Sequence, residues 1–374
     1  MTQHADVVII GGGIAGVSAA AALAPTHSVL LVEQEAVLAF HTTGRSAATY
    51  YGNLAANAIR PLTKASRSVL FDPPAHFDAP LTVRRGLLSV GRNDQVPSLR
   101  ELQRGAEKYG TPASMLDVEG AIALHPLLRR DYVAAALWEP DAWDIDVAAL
   151  HQGFVRLARV HGAEIVAGAQ VRELEATDSG WRVTTETLAA ECGVVVNAAG
   201  AWGDQVAGLA GVAPIRLQPL RRTAFTVPGD PAYADLPFIV DADEQFYFRP
   251  DGPQFLCSPA EEIPDSPGDP RPREEDVALA IERINSATDL AIRTVRSQWT
   301  GHRTFAPDRA MVIGFEPNRP GFFWLVGQGG TGIQTSPAAA DLAASLIRRD
   351  ELPPPLAAAG VDVTALSPAR FRTG

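Results

Sequence analysis

Lysine is nearly absent from this chain. Of 32 basic residues only Lys64 and Lys108 are lysines, so arginine is the default cation and a lone arginine signals nothing without a special context. Cysteine is equally scarce. Cys192 and Cys257 can build neither a disulfide framework nor a metal cluster on their own. The eight histidines contain no HxxxH or HExxH pairing, which speaks against a zinc site. Positive charge is in deficit: a formal net charge of -11 leaves no field to draw in phosphates and excludes general nucleic-acid affinity. The most apolar run, Val7 to Ala24, holds four glycines, and the residues before it include His4 and Asp6 but no lysine or arginine. It therefore lacks the basic flank of a signal peptide and suits a turn better than a membrane span. The expectation is a cytoplasmic protein with no integral membrane segment and no lipid anchor.

What is present is the composition of a globular protein. Hydrophobic residues make up 46% and charged residues 20%, which excludes a disordered chain or a coiled coil. The 374 residues suffice for a sizeable core and, as a prior, roughly two to three domains. The amino-terminal run reads as a strand, Val7 to Ile10, then a glycine turn, an Ala-rich helix to Ala24, a second strand, Val29 to Val32, and an acid, Glu33. Gly11, Gly13 and Gly16 fill the three places of GxGxxG. The first makes the turn, the second lets backbone approach a pyrophosphate, and the third lets helix and strand pack closely. The helix amino terminus faces the negative charge, and Glu33 stands where a carboxylate bonds a ribose hydroxyl. This unit predicts a dinucleotide site.

Two later segments repeat the theme. Val194 to Val196 runs into Asn197-Ala-Ala-Gly-Ala-Trp202, and Phe322 to Val326 runs into Gly327-Gln-Gly-Gly-Thr-Gly332 and a helix through about Arg348. Alternating segments, such as Gln245 to Arg249 and Gln254 to Ser258, read as antiparallel strands. Pro264 to Pro272 reads as an exposed loop, and Glu274 to Ala291 has helical apolar spacing. The fold class that follows is α/β (α+β overall), a Rossmann-like dinucleotide-binding domain with an inserted, mainly antiparallel β-sheet substrate domain. The boundaries expected are 1–80, 143–215 and 304–374 for the first, and 81–142 and 216–303 for the second. In the strand-like Arg221-Arg-Thr-Ala-Phe225 the two arginines should face opposite sides of the sheet.

The segment Phe40-His-Thr-Thr-Gly-Arg-Ser-Ala-Ala48 offers hydroxyls, small residues and an arginine where a bound flavin would lie. With Asn197-Ala-Ala-Gly200 and the late glycine turn, it resembles the D-amino acid oxidase superfamily of FAD enzymes, over nearly the whole chain. Within it the strings His41 to Ala48, Asp144-Ile-Asp146 with Ala149 to Gly153, Asn197 to Trp202, Leu217-Gln-Pro219 with Arg221-Arg222, and Gly329-Gly330 with Gly332 to Ser336 look closest to D-arginine dehydrogenase. The resemblance implies noncovalent FAD, held by Gly11, Gly13, Ile14, Ala15, Gly16, Glu33, Gln34, Thr42, Thr43, Arg45, Ser46, Ala47, Val171, Ala199, Gly200, Trp202, Gly329, Gly330, Thr331, Gly332 and Ile333. Neither Cys192 nor Cys257 sits where covalent attachment is expected. The family pattern puts Arg222 and Arg303 on the substrate carboxylate, with Tyr247 beside it. An arginine holds a carboxylate bidentately, which is the physical reason for that residue type. The free amides at the start of the late helix would face the pyrimidine end of the flavin. His302 is a further candidate to line the site, while His151 reads as structural.

Departures from that pattern bear on the substrate. Thr49 stands where D-arginine dehydrogenase has a histidine near the substrate amine, and a threonine cannot titrate near neutral pH. Gly86 and Leu54 match the glutamate that holds the guanidinium and the lid tyrosine, and Thr331 replaces a tyrosine. Without a countercharge a basic side chain is costly to bury, and glycine at 86 is expected to leave volume. The resemblance therefore implies oxidative deamination of D-amino acids to imino acids, then 2-oxo acids and ammonia, by hydride transfer from Cα to flavin N5. Neutral or apolar substrates should be preferred over basic ones. The partners expected are a small-molecule amino acid and an electron acceptor, oxygen or a quinone or other carrier, which no motif identifies. Alternatives are oxidation of a secondary amine (an N-methyl amino acid or proline) or of a 2-hydroxy acid. In another class stands a non-catalytic flavin-binding subunit of a larger complex.

Overall fold

The strands of the computed structural model, which describes residues 2–53, 58–77 and 80–372, fall into three sheets. The first is built on parallel pairs. Gln3–Ile10 lies between Ala189–Asn197 and Val29–Val32, Glu164–Val166 follows Val29–Val32, and Phe322–Val326 joins the carboxyl half of Ala189–Asn197. Strand alternation sends Val7 and Ile9 into one buried cluster and Val8 and Ile10 into another, so both faces of this sheet are covered. The helix Ile14–Leu23 is buried nearly all round and packs against the helices Val147–Val160 and Gly332–Arg348. Its alanines and glycine permit that close approach. Asp146 starts Val147–Val160 by accepting from Ala149 N–H at 2.8 Å.

The second sheet is mainly antiparallel. Its spine is Gln218–Pro228, which pairs with Gln254–Ser258, with Ile263–Pro264 and with Ser297–Phe305. Leu87–Gly91 pairs in parallel with Phe238–Asp241, and the helix Glu274–Ala287 covers the cluster beneath. A small third sheet pairs Trp143–Ile145 with Thr49–Tyr50 and Thr82–Arg84 and so ties together segments expected in different halves. The α/β class with an antiparallel second sheet stands as the sequence implied. Several elements differ in extent, the strands expected at Val7 to Ile10 and Val194 to Val196 being longer, Gln3–Ile10 and Ala189–Asn197. The strand expected from Gln245 is Tyr247–Pro250, and the helix expected to reach Ala291 ends at Ala287. There Thr288 turns extended and its hydroxyl donates to Ile284 O at 2.7 Å, which closes the last turn. Among the described residues, no helix is long and apolar enough to cross a membrane.

Candidate active site

The carboxyl ends of the parallel strands open into a cavity of about 410 Å³ that runs from the glycine turn to Arg222, Tyr247 and Arg303. Its near end is dictated by the glycines. Gly11 has φ +116°, and a Cβ there would lie 2.5 Å from Ala198 O. A Cβ at Gly16 would lie 1.8 Å from Gly11 O, so Gly16 serves by packing and does not itself line the cavity. Gly13 begins the helix Ile14–Leu23 with no side-chain cap, which leaves an amino terminus turned to the cavity. The turn is held from outside. Gly12 N–H donates to Glu33 Oε2 at 2.6 Å, and Gly12 O accepts from His151 Nε2 at 3.0 Å. Glu33 Oε1 accepts from Glu35 N–H at 2.8 Å, so this carboxylate fixes the loop as well as facing the cavity. Burial lowers the pKa of His151, which keeps the ring a neutral donor.

The far end is set by strand register. Arg222 lies opposite Gly301, and Arg303 lies opposite Leu220 on the same strand pair. The two arginines are thus diagonal neighbours on one face. Both line the cavity, with Tyr247. Burial lowers the pKa of Arg222 and the Arg303 charge pushes the same way, while Tyr247, Glu244 and Glu262 oppose. An arginine keeps its proton regardless, so the pair is a concentrated positive site that calls for an anionic ligand. Arg221 faces the other side, as alternation requires, and binds Asp265 at 3.2 Å and the Arg271 carbonyl. His302 shares the register position opposite Arg221; it borders the cavity, but its Nε2 meets Asp265 at 3.1 Å. Its ring is therefore committed to that carboxylate rather than to a ligand.

The late glycine turn packs directly on this end. Gly329 has φ +53°, and a Cβ there would lie 2.3 Å from the Phe305 ring; one at Gly330 would meet the Arg303 guanidinium at 3.1 Å. The helix Gly332–Arg348 starts here without a side-chain cap, with Gly332 and Ile333 at the cavity. Gln328 also lines it, and its buried Nε2 has no partner.

Several expected residues stand elsewhere. Gly86 opens no space: it has φ +72°, and a Cβ would lie 2.1 Å from the Trp138 ring that fills that volume. Neither it nor Thr49 lines the cavity; Thr49 sits in a strand with its buried hydroxyl unpartnered. Thr331 is the residue before the late helix, its hydroxyl donates to Gln328 O at 2.9 Å, and it too is off the cavity surface. Leu54 lies outside the described residues. Arg45 borders the cavity, but its guanidinium donates to Thr300 O at 2.8 Å and pairs with Asp269 at 2.6 Å. The other cofactor candidates, Gly11, Gly13, Ile14, Ala15, Glu33, Gln34, Thr42, Thr43, Ser46, Ala47, Val171, Ala199, Gly200, Trp202, Gly329, Gly330, Gly332 and Ile333, all line it. Tyr51 was missed. Burial raises its pKa, Glu244 and Glu139 add to this, and Arg303 and Arg222 oppose, which places it within electrostatic reach of both arginines.

The model of the FAD dependent oxidoreductase (DAO) family matches residues 6–346 of this chain. The chain belongs to that family. The DAO chain is 25% identical over 411 residues to FAD-dependent oxidoreductase domain-containing protein 1 of Bos taurus, covering 92% of this chain and 81% of that one. The structure of L-proline dehydrogenase from P. horikoshii superposes with a TM-score of 0.86 at 21% identity, covering 100% of this chain and 99% of that one. Glycine oxidase from Geobacillus kaustophilus gives 0.86 at 21%, covering 98% of each. Both solved structures share the fold of this DAO member. The family's cofactor, FAD, fits what the cavity offers. Two uncapped helix starts, glycines that admit no Cβ, and the orphaned Gln328 amide all suit a long anionic ligand with carbonyl acceptors.

Proposed function

We propose that this DAO protein is a D-amino acid dehydrogenase or oxidase acting on the CH–NH2 group, with noncovalent FAD. The observation that carries the reading is the Arg222–Arg303 pair at the end of a cavity that begins at the glycine turn. The pair binds the substrate carboxylate, and the Tyr247 hydroxyl stands beside it. A bound FAD supplies the two-electron acceptor for the hydride lost from Cα. The chain's own contribution is to hold the carboxylate, admit the neutral amine and orient the Cα hydrogen. No titratable base is assigned, so the amine enters neutral or gives its proton to water, and water converts the imino acid to a 2-oxo acid and ammonia. Cys192 and Cys257 support noncovalent attachment, since both lie in buried clusters and neither is at the cavity. The strings at 41–48 and 217–222 that resemble D-arginine dehydrogenase support the D configuration.

The side-chain preference follows from the charges in the cavity. Among the described lining residues the sole carboxylate is Glu33, at the nucleotide end. Glu244 is exposed and does not line the cavity. A guanidinium substrate would therefore be desolvated without a partner, whereas a neutral side chain meets uncharged lining such as Ala47, Ala48 and Ala224. The test is anaerobic flavin bleaching by D- and L-amino acids, N-methyl amino acids and 2-hydroxy acids, with D-arginine set against D-leucine and D-phenylalanine. Faster reduction by the neutral D-amino acids is expected. Bleaching only by L-enantiomers, secondary amines or hydroxy acids would replace the substrate class, and no bleaching by any of them would favour an accessory flavoprotein.

A further inference from the structure

Arg222 already has a carboxylate on it. Glu262 Oε1 lies 3.3 Å from its terminal nitrogen, and the same glutamate lies 2.9 and 3.0 Å from Arg309 through its two oxygens. We propose that Glu262 is a resident stand-in for the substrate carboxylate, displaced from Arg222 when substrate binds and retained by Arg309. The inference rests on the reading of Arg222 and Arg303 as the substrate clamp.

Three features support an exchange rather than a fixed bridge. Glu262 is exposed and reaches Arg222 from outside the cavity, its contact is single and long, and the buried Arg222 Nε has no partner, so most of the fork is left to a ligand in the cavity. A planar carboxylate arriving from the cavity can take two donors at once and wins on geometry. Arg309 is a fixed receiver: its guanidinium stacks 3.8 Å over the Phe305 ring, and its amide donates to Ala306 O at 2.8 Å. Glu262 can leave Arg222 without becoming an unpaired charge. Only its side chain needs to move, because the adjacent Glu261 is anchored by Thr223 N–H, which donates to its Oε1 at 2.6 Å. The stand-in also has an electrostatic reason. Without substrate, Arg222 and Arg303 repel at close quarters in a buried place, and Glu262 offsets that repulsion. Glu262 therefore competes with substrate, and Arg309 weakens the competition.

Opposite signs follow for two neighbouring substitutions. In the FAD-loaded enzyme, with benzoate as the carboxylate probe and its dissociation constant read from the flavin spectrum, Glu262→Gln should tighten binding about three- to tenfold. Arg309→Ala frees Glu262 to hold Arg222 fully and should weaken binding about two- to fivefold. On the Glu262→Gln background, Arg309→Ala should have no further effect. KM of the best substrate should move with the benzoate constant, and the limiting rate of flavin reduction should stay. FAD content and melting temperature are taken for each variant, and Glu262→Ser serves if Glu262→Gln folds poorly. Weaker binding in both single variants, or none changed, overturns the exchange. Arg222→Ala separates the two readings: if it leaves benzoate binding unchanged the clamp itself is misplaced, and if it weakens binding while Glu262→Gln does too, only the exchange fails.

Discussion

Truncating Arg222 tests the site at its centre. In Arg222→Ala the substrate loses one charge-assisted contact, worth about 1.5–3 kcal/mol, or about ten- to 150-fold in binding. The structure argues for the lower part of that range. The guanidinium removed also repels Arg303, and that repulsion disappears with it. The expected rise in the substrate dissociation constant is therefore about ten- to thirtyfold. The fold should tolerate the change. Glu262, an exposed residue, keeps both oxygens on Arg309 at 2.9 and 3.0 Å, so its charge is not left unpaired. Arg222→Lys keeps the charge but not the fork and should fall between. Anaerobic stopped-flow reduction over a substrate series gives the dissociation constant and the limiting rate separately. A shift below threefold in Arg222→Ala, with normal FAD content and melting temperature, would refute the assignment of Arg222 to the carboxylate.

His151→Phe removes the donor to Gly12 O and should weaken FAD retention several-fold, about 1 kcal/mol, measured by flavin fluorescence on dilution; unchanged retention would show the turn needs no such support. Gly86→Ala places a methyl against Trp138 at a positive φ and should cost more than about 2 kcal/mol in denaturant melts without altering substrate preference. If preference shifts and stability does not, the pocket lies there after all. His125 is fully buried with both ring nitrogens unpartnered, and burial pushes its pKa down to about 4. Its unfolded value near 6.5 is higher, so the unfolded chain binds the proton first as pH falls. Stability should decline from pH 6.5 toward pH 4, by about 3 kcal/mol in full, and His125→Phe should abolish that part of the slope.

The cofactor end of this protein was legible in its sequence because it is local. Gly11, Gly13, Gly16 and Glu33 sit in one strand–turn–helix–strand unit, and the φ of +116° at Gly11, the contact of Gly16 with Gly11 O and the Gly12–Glu33 hydrogen bond all lie inside it. Alternation also implied that Arg221 and Arg222 face opposite sides of the sheet, while the choice of Arg222 for the cavity side came from the family resemblance. What reached across elements was hidden. Whether Arg303 meets Arg222 depends on the register of Ser297–Phe305 against Gln218–Pro228. That Trp138 fills the space beside Gly86, and that the His302 ring is taken by Asp265, depends on residues distant in the chain. The pairing of Glu262 with both Arg222 and Arg309 is of the same kind. A turn's glycines answer to torsions and sterics over a few residues, which the order of amino acids carries directly. A side chain's partner is chosen by packing between segments, and that choice exists only once the sheets have closed on one another.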